Sequence, residues 1–336
     1  MSALDGLERL PLFTHFAPPQ REQLARCSAR QNRAAGAMLY DREDRAREIY
    51  LVASGELRAW APTPLGDFDF AALQRGDLVG EVSFVDRCGR MSRVDTLTEA
   101  DLLVLDNASL RALADLDADF ARALYWTLWK SLAAKLRTAN KHLSEFFSPG
   151  VTSGSAGGPP PALQLGDLGR SDVGLRRAVL REQRLPSMEI NFLASLSRQE
   201  SYPPGETIFR EGDPGDKLYV VAEGEVMISK SIPGAGEEAL SFLERGEFFG
   251  EMSLIDKLPR SADARSHPER GAVVLSLTSE VFDQLLSVGR PSSFRLLDLF
   301  CRLAADRLRK VNEKLLGWHL LSGGAHVQGA MTGGAA

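Results

Sequence analysis

The chain repeats itself, and that repetition restricts its architecture more than any other feature. The segment from Gly205 and Phe209 through Pro259, Arg260 and Ser261 has a degraded counterpart earlier on. Gly36 corresponds to Gly205, Tyr50 to Tyr219, Glu81 to Glu251 and Arg90 to Arg260. The offset grows by a single residue between the tyrosine pair and the glutamate pair, so one residue was gained between strands. Self-similarity on this scale means one structural unit built twice. A length of 336 residues is consistent with about two domains of ordinary size.

Between the copies, Ser148 to Pro161 consists almost entirely of Gly, Ser and Pro, with almost nothing to bury. The expected organisation is a first domain over 1–147, a linker over 148–170, a second domain over 171–321 and a mobile Gly/Ala-rich tail over 322–336.

Within the second copy, Lys217–Ala222 and Val226–Ser229 are short apolar and β-branched runs bounded by turn residues, which predicts strands. Pro214 and Gly215 predict a type II turn, with Pro214 setting φ and Gly215 supplying φ > 0. Further on, Phe294, Leu297, Phe300, Ala304, Leu308, Val311 and Leu315 recur at three and four residues, an amphipathic helix. Its polar face carries Arg295, Arg302, Arg307, Arg309, Lys310 and Lys314. The first copy has an equivalent helix around Phe120 to Phe146, with Lys130, Lys135, Arg137 and Lys141. Helical sequence also opens each unit, around Leu7 to Phe13 and around Leu193 to Leu196. The predicted fold class is α+β, mainly β: two tandem antiparallel β-rolls of the double-stranded β-helix or jelly-roll kind. Each is flanked by an N-terminal helix and a long C-terminal helix.

Composition removes several functions. Lys plus Arg number 40 against 45 Asp plus Glu, a net charge of −5, which repels a polyanion and argues against nucleic acid as partner. No apolar run approaches the ~18 residues of a membrane span and no leader pattern opens the chain, so a cytoplasmic, membrane-free location is expected. The three cysteines, Cys27, Cys88 and Cys301, form no CxxC pair and are read as reduced thiols. His15, His142, His267, His319 and His326 show no metal-ligand spacing. No catalytic constellation emerges, and neither an enzyme, a metal nor a cofactor is expected.

The densest chemical signal is Gly246 to Leu254, with Phe249, Gly250, Glu251, Met252 and Ser253 at its centre, followed by Pro259, Arg260, Ser261 and Ala262. Gly250 allows close approach of the backbone, and the residues after it can form one helical turn whose free N–H groups suit an anion. Arg260, nine residues after Glu251, brings a guanidinium fork that can take two phosphate oxygens. Glu251 supplies a fixed acceptor for a hydroxyl. An anion grip beside a hydroxyl grip describes a ribose phosphate.

On these residues the chain resembles the cyclic nucleotide-binding domain family, shared by catabolite-activator-type regulators, kinase regulatory subunits and gated channels. The resemblance covers nearly everything outside the linker and tail. It implies that Glu251 holds the ribose 2′-hydroxyl and Arg260 the cyclic phosphate. The backbone around Gly250 to Ser253 and Ser261 to Ala262 would complete the cradle. The first copy keeps Gly80, Glu81, Val82, Ser83 and Arg90, then reads Met91, Ser92 and Arg93. Met91 stands where the family has Ser or Thr, removing a hydroxyl donor, and Arg93 is expected to crowd the end of the cassette. Occupancy of this weaker site is left open.

Because Thr after the cassette arginine supports guanine in part of the family, Ser261 and Met91 tilt the ligand towards cyclic AMP; cyclic GMP and other cyclic nucleotides remain open. Trp318 and residues near Asn312 are candidates for covering the base. The resemblance further implies a ligand-controlled switch. The segment around Phe282 to Leu286 and the helix Phe294 to Leu316 would close on the second pocket and pass the signal to a protein effector, or to another copy through the C-terminal helices. A nucleotide-independent scaffold is the rival reading. A kinase-inhibitor reading rests on Leu175 to Val179, whose arginine pair Arg176 and Arg177 also suits the start of a helix.

Overall fold

Short strands with alternating burial build each copy from two antiparallel sheets. The computed structural model describes residues 10–146, 177, 187–232, 236–287 and 293–321, which cluster into one unit of Met1–Ala139 with Leu297–Ala336 and another of Asn140–Leu296. The linker expected over 148–170, the tail over 322–336 and all of the Leu175–Val179 segment except Arg177 lie outside the described residues.

In the first unit, a 3-10 turn over Pro11–His15 leads to helix α1 (Pro18–Arg26), which begins on Pro18, a residue preset for a first helical position. There follow β1 (Ser28–Arg33), β2 (Met38–Tyr40), β3 (Ile49–Ser54), β4 (Leu57–Thr63), β5 (Gly66–Leu73) and β6 (Leu78–Val79). Helix α2 (Glu81–Asp86), β7 (Arg93–Thr96), β8 (Ala100–Leu105), α3 (Asn107–Leu116) and the long α4 (Ala118–Phe146) complete this stretch. The sheets run β1-β8-β3-β6 and β2-β7-β4-β5, the crossed order of a jelly roll, and Tyr40, Val52, Leu57, Val94 and Leu102 belong to its core.

The second unit repeats the plan with α5 (Ser187–Leu196), β9 (Arg198–Tyr202), β10 (Thr207–Phe209), β11 (Lys217–Gly224), β12 (Val226–Ile232) and β13 (Gly236–Leu243). Then come β14 (Phe248–Phe249), α6 (Met252–Asp256), β15 (Asp263–Ser266), β16 (Ala272–Thr278) and α7 (Ser279–Ser287). Its sheets, β9-β16-β11-β14 and β10-β15-β12-β13, match those of the first unit strand for strand. Register agrees as well: Tyr50 pairs with Val79 and Tyr219 with Phe249. Strand β4 maps onto β12 and β5 onto β13, so the residue gained by the second copy falls in the hairpin loop between β12 and β13.

The chain ends in α8 (Ser293–Leu321). From Leu297 onward this helix groups with the first roll and not with the second, which it follows in sequence. The Phe300 ring stacks on Trp129 of α4 at 4.9 Å and 16°, and the Cys301 thiol donates to the Tyr125 carbonyl at 3.2 Å. Leu297, Ala304, Leu308 and Leu315 are buried along the same face. The expectation that this helix closes the second pocket is therefore corrected for residues 297–321. An apolar stripe demands a cover without specifying which surface supplies it.

Candidate functional site

The two cassette arginines are held by the same set of bonds, starting from the backbone. The Arg90 N–H donates to the Asp44 carbonyl and its carbonyl accepts from the Glu43 N–H, both at 3.0 Å; Arg260 repeats this with Asp213 and Gly212 at 2.9 Å. In the side chain, Arg90 Nη1 donates to Gly80 O at 2.9 Å and Nη2 to Glu48 O at 2.8 Å. Arg260 donates to Gly250 O at 2.6 Å and to Lys217 O at 2.7 Å. An aromatic face underlies each guanidinium, Tyr40 at 4.2 Å and Phe209 at 4.3 Å.

Both guanidiniums are buried, at 1% and 4% exposure, and each Nε is a buried donor with no hydrogen-bond partner among the described residues. A guanidinium has five N–H donors. Two are spent on positioning here, so the fork is fixed in direction while donors remain for an anion. Burial lowers the Arg260 pKa, opposed by Tyr219, Asp216, Glu251 and Asp213. The nearest carboxylate to Arg90, that of Glu48, lies 3.7 Å from Nη2 and is 41% exposed.

Glycine is required where the arginine reaches back. Gly80 (φ 90°) and Gly250 (φ 75°) take left-handed backbone, and a Cβ would fall 2.3 Å from Arg90 Nη1 and 2.7 Å from Arg260 Nη1. Each then opens into its short helix, α2 or α6, whose first N–H groups have no intrahelical acceptor. The expected type II turn at Pro214–Gly215 is corrected: the left-handed residue is Gly212 (φ 86°), while Gly215 is not among the positive-φ glycines. Gly215 serves a steric purpose instead, since a Cβ there would meet Ser253 Cβ at 2.2 Å and Oγ at 2.5 Å.

In the first unit these parts enclose a cavity of about 210 Å³. Gly80, Glu81, Val82, Ser83, Arg90, Met91 and Ser92, all anticipated, line it. The fully buried Glu81 accepts on Oε1 from Lys135 Nζ at 2.5 Å and from Ser131 Oγ at 3.2 Å. Its Oε2 is a buried acceptor with no hydrogen-bond partner among the described residues. Lys135 also donates to Leu78 O at 2.6 Å. From α8, Leu308 and Asn312 join the lining. Asn312 Nδ2 donates to Met91 Sδ at 3.4 Å, and Arg309 beside it donates to Asp86 Oδ2 at 2.6 Å and Gly89 O at 2.7 Å.

In the second unit Phe249, Glu251, Met252, Ser253, Arg260 and Ala262 are buried, while Gly250 and Ser261 are half-buried. The Ser261 hydroxyl donates to Met252 Sδ at 3.7 Å. Arg93 does not crowd the first cassette: strand alternation turns it away beside Ser92 and Val94, to lie 4.9 Å over the Trp60 ring and pair with Asp95 at 3.1 Å. Asn312, considered for the second site, lines the first cavity.

Sequence reading missed the aromatic supports Tyr40 and Phe209 and the carbonyls of Glu48 and Lys217. Each pair sits at equivalent repeat positions, and that was the available signal. Lys135 was read only as a charge on a helix face. Among the described residues, no group of three or more His, Cys, Asp or Glu is placed to hold a metal, and no helix is long and apolar enough to cross a membrane.

Comparison with known proteins identifies the same two segments. The family model described as the cyclic nucleotide-binding domain matches residues 30–117 and 199–288. The CRP-like cAMP-activated global transcriptional regulator of Mycobacterium tuberculosis is 33% identical over 134 residues, covering 38% of this chain and 56% of that protein. The cGMP-dependent protein kinase egl-4 of Caenorhabditis elegans is 23% identical over 283 residues, 84% of this chain and 30% of the kinase. The chain thus spans less than two thirds of either relative. Among solved structures, the regulatory domain of Toxoplasma gondii PKA with cAMP is 22% identical, with a TM-score of 0.32, covering 85% of this chain and 92% of that one.

Proposed function

The chain belongs to the cyclic nucleotide-binding domain family, and from that premise we propose that it is a two-site cyclic nucleotide sensor whose ligand is cyclic AMP. One observation carries this reading: two buried guanidiniums, each aimed by two backbone carbonyls and backed by an aromatic ring, each with Nε lacking a partner among the described residues. A buried cation so arranged is stabilised by an anion that takes two donors at once. Arg260 and Arg90 bind the cyclic phosphate. Glu251 and Glu81 accept from the ribose hydroxyl. The short helices after Gly250 and Gly80, with Ser253 and Ser83, close the phosphate cradle, and Phe249, Met252, Ser261 and Ala262 frame the second site as Val82, Met91 and Ser92 frame the first.

Output passes to a protein effector through movement of the C-terminal helices, in the cytoplasm and without a chemical step by this chain. A ligand moves such an equilibrium only by its differential affinity, about 5.5 kcal/mol for a swing from 1:99 to 99:1.

Titration calorimetry with cyclic AMP on the wild type, Arg90→Ala and Arg260→Ala tests the proposal. Two binding events are expected, one lost in each variant, since truncating one partner of a buried charge pair costs about 2–5 kcal/mol. Isotherms that neither substitution alters would overturn it, as would a wild-type chain that takes up no cyclic nucleotide and leave a scaffold in its place.

A further inference from the structure

The first unit holds another cavity, of about 260 Å³, that borders the proposed nucleotide pocket and shares Asp77, Ala134 and Lys135 with it. One wall is α4, where Thr127, Lys130, Ser131 and Ala134 fall at helical spacing and line the space together. The turn before β6 and His15, from the 3-10 turn, close the other side.

Donors outnumber acceptors in this cavity. Lys130 is half-buried and makes no ion pair among the described residues. Burial and the nearby Lys130 charge lower the pKa of His15, whose ring lies 5.4 Å from that of Trp126. The imidazole is therefore neutral near pH 7 and has one N–H to give. Ser131 and Lys135 add a hydroxyl and an ammonium group. The carboxylate in the lining is that of Asp77, and its Oδ2 already accepts from the Gln74 N–H at 2.7 Å. A cation without a counter-charge, set among hydroxyl and imidazole donors, suits a small oxyanion.

Ser131 and Lys135 also serve the neighbouring pocket. Both donate to Glu81 Oε1, at 3.2 Å and 2.5 Å. An anion that draws on these donors leaves Glu81 less firmly aimed and its charge less compensated. Both effects oppose a ligand that brings a phosphate of its own.

We propose that this second cavity binds an oxyanion of the phosphate class and that its occupancy weakens cyclic nucleotide binding in the first pocket. The effect on binding rests on the cyclic nucleotide reading of that pocket; the anion site does not. Linkage makes the antagonism mutual.

The first test titrates cyclic AMP into the full chain carrying Arg260→Ala, so that only the first pocket is read. Calorimetry is run in chloride and in inorganic phosphate at equal pH and ionic strength. Phosphate is expected to weaken cyclic AMP about fivefold. Adding Lys130→Ala, a change outside the nucleotide pocket, is expected to abolish that weakening and to leave the affinity in chloride unchanged. Lys130→Arg is expected to retain it. A phosphate effect that persists in Lys130→Ala would mean competition at Arg90 and would overturn the proposal, as would no phosphate effect in the Arg260→Ala chain.

The second test follows the phosphorus NMR line of inorganic phosphate with the full chain carrying Arg90→Ala and Arg260→Ala, in which neither cassette keeps its guanidinium. Broadening that disappears on adding Lys130→Ala is expected; a line that stays sharp throughout overturns the anion site. Ligand-free melting temperatures check that each variant folds. If the Arg260→Ala chain takes up no cyclic AMP, the nucleotide reading and the antagonism fall together, and the cavity is decided by the phosphorus line alone.

Discussion

The Glu81 carboxylate, fully buried, accepts a hydrogen bond from Lys135 Nζ at 2.5 Å, so the acceptor proposed for the ribose is already aimed by a cation from α4. Ser131, one helical turn earlier, supports the same oxygen. Oε2, a buried acceptor with no hydrogen-bond partner among the described residues, is the atom to which the proposed ribose hydroxyl would donate.

Replacing Lys135 by Ala removes the cation from a buried carboxylate. Because Lys135 is 23% exposed and water can reach the site, we expect a loss of about 2 kcal/mol, below that of a fully enclosed pair. Urea denaturation of the ligand-free chain measures it. A midpoint equal to wild type would mean that Glu81 does not depend on this contact.

Gly215→Ala is expected to destabilise the second roll by about 1–3 kcal/mol, because the new Cβ meets the Cβ of Ser253, which cannot swing aside. Nucleotide affinity at the second site should fall with it. The matching substitution in the first copy, Ala46→Gly, removes a methyl group that the loop already accommodates and is expected to change stability by less than about 1 kcal/mol. Paired melting curves compare the two.

The arginine-clamping turns differ at one left-handed position: Glu43 at φ 67° in the first copy, Gly212 at φ 86° in the second. Glu43→Gly should relieve backbone strain and stabilise by up to about 1 kcal/mol, and Gly212→Ala should cost about the same. The Glu43 side chain is 77% exposed and sits 3.8 Å from Arg42, so its ion pair opposes this little. Opposite signs in denaturant midpoints are the expected result.

Asp298 of α8 has its pKa raised by burial, which outweighs Arg302, Arg111, Arg87 and a hydrogen bond from Tyr125. A folded pKa above the unfolded value means that the stabilising contribution is present below the ordinary carboxylate value of 3.8 and is lost as pH rises through the folded one. Asp298→Asn is therefore expected to raise the melting temperature at pH 7, with the gain shrinking as pH falls towards 3.8. A gain independent of pH would contradict this.

Much of the site was readable because its parts are close in the chain. Gly250, Glu251 and Arg260 lie on one strand–helix–strand passage, and the repeat located their partners Gly80, Glu81 and Arg90. The supports were harder to find. Phe209 and the Lys217 carbonyl come from strands that precede the cassette by tens of residues, and only sheet register brings them beneath the guanidinium. Gly215 was assigned a turn because Pro-Gly favours one. Its actual constraint, contact with Ser253, depends on a loop packing that no local pattern encodes.

By itself, the sequence determined that one roll-forming unit occurs twice and where Gly250, Glu251 and Arg260 and their counterparts Gly80, Glu81 and Arg90 fall along it, because the repeat, short apolar runs and close spacing are local features. Only the tertiary structure decided where the last helix goes. Burial of an apolar stripe is non-directional. The choice of the first roll follows from fitted contacts, Phe300 on Trp129 and Arg309 on Asp86 and Gly89, between segments far apart in the chain.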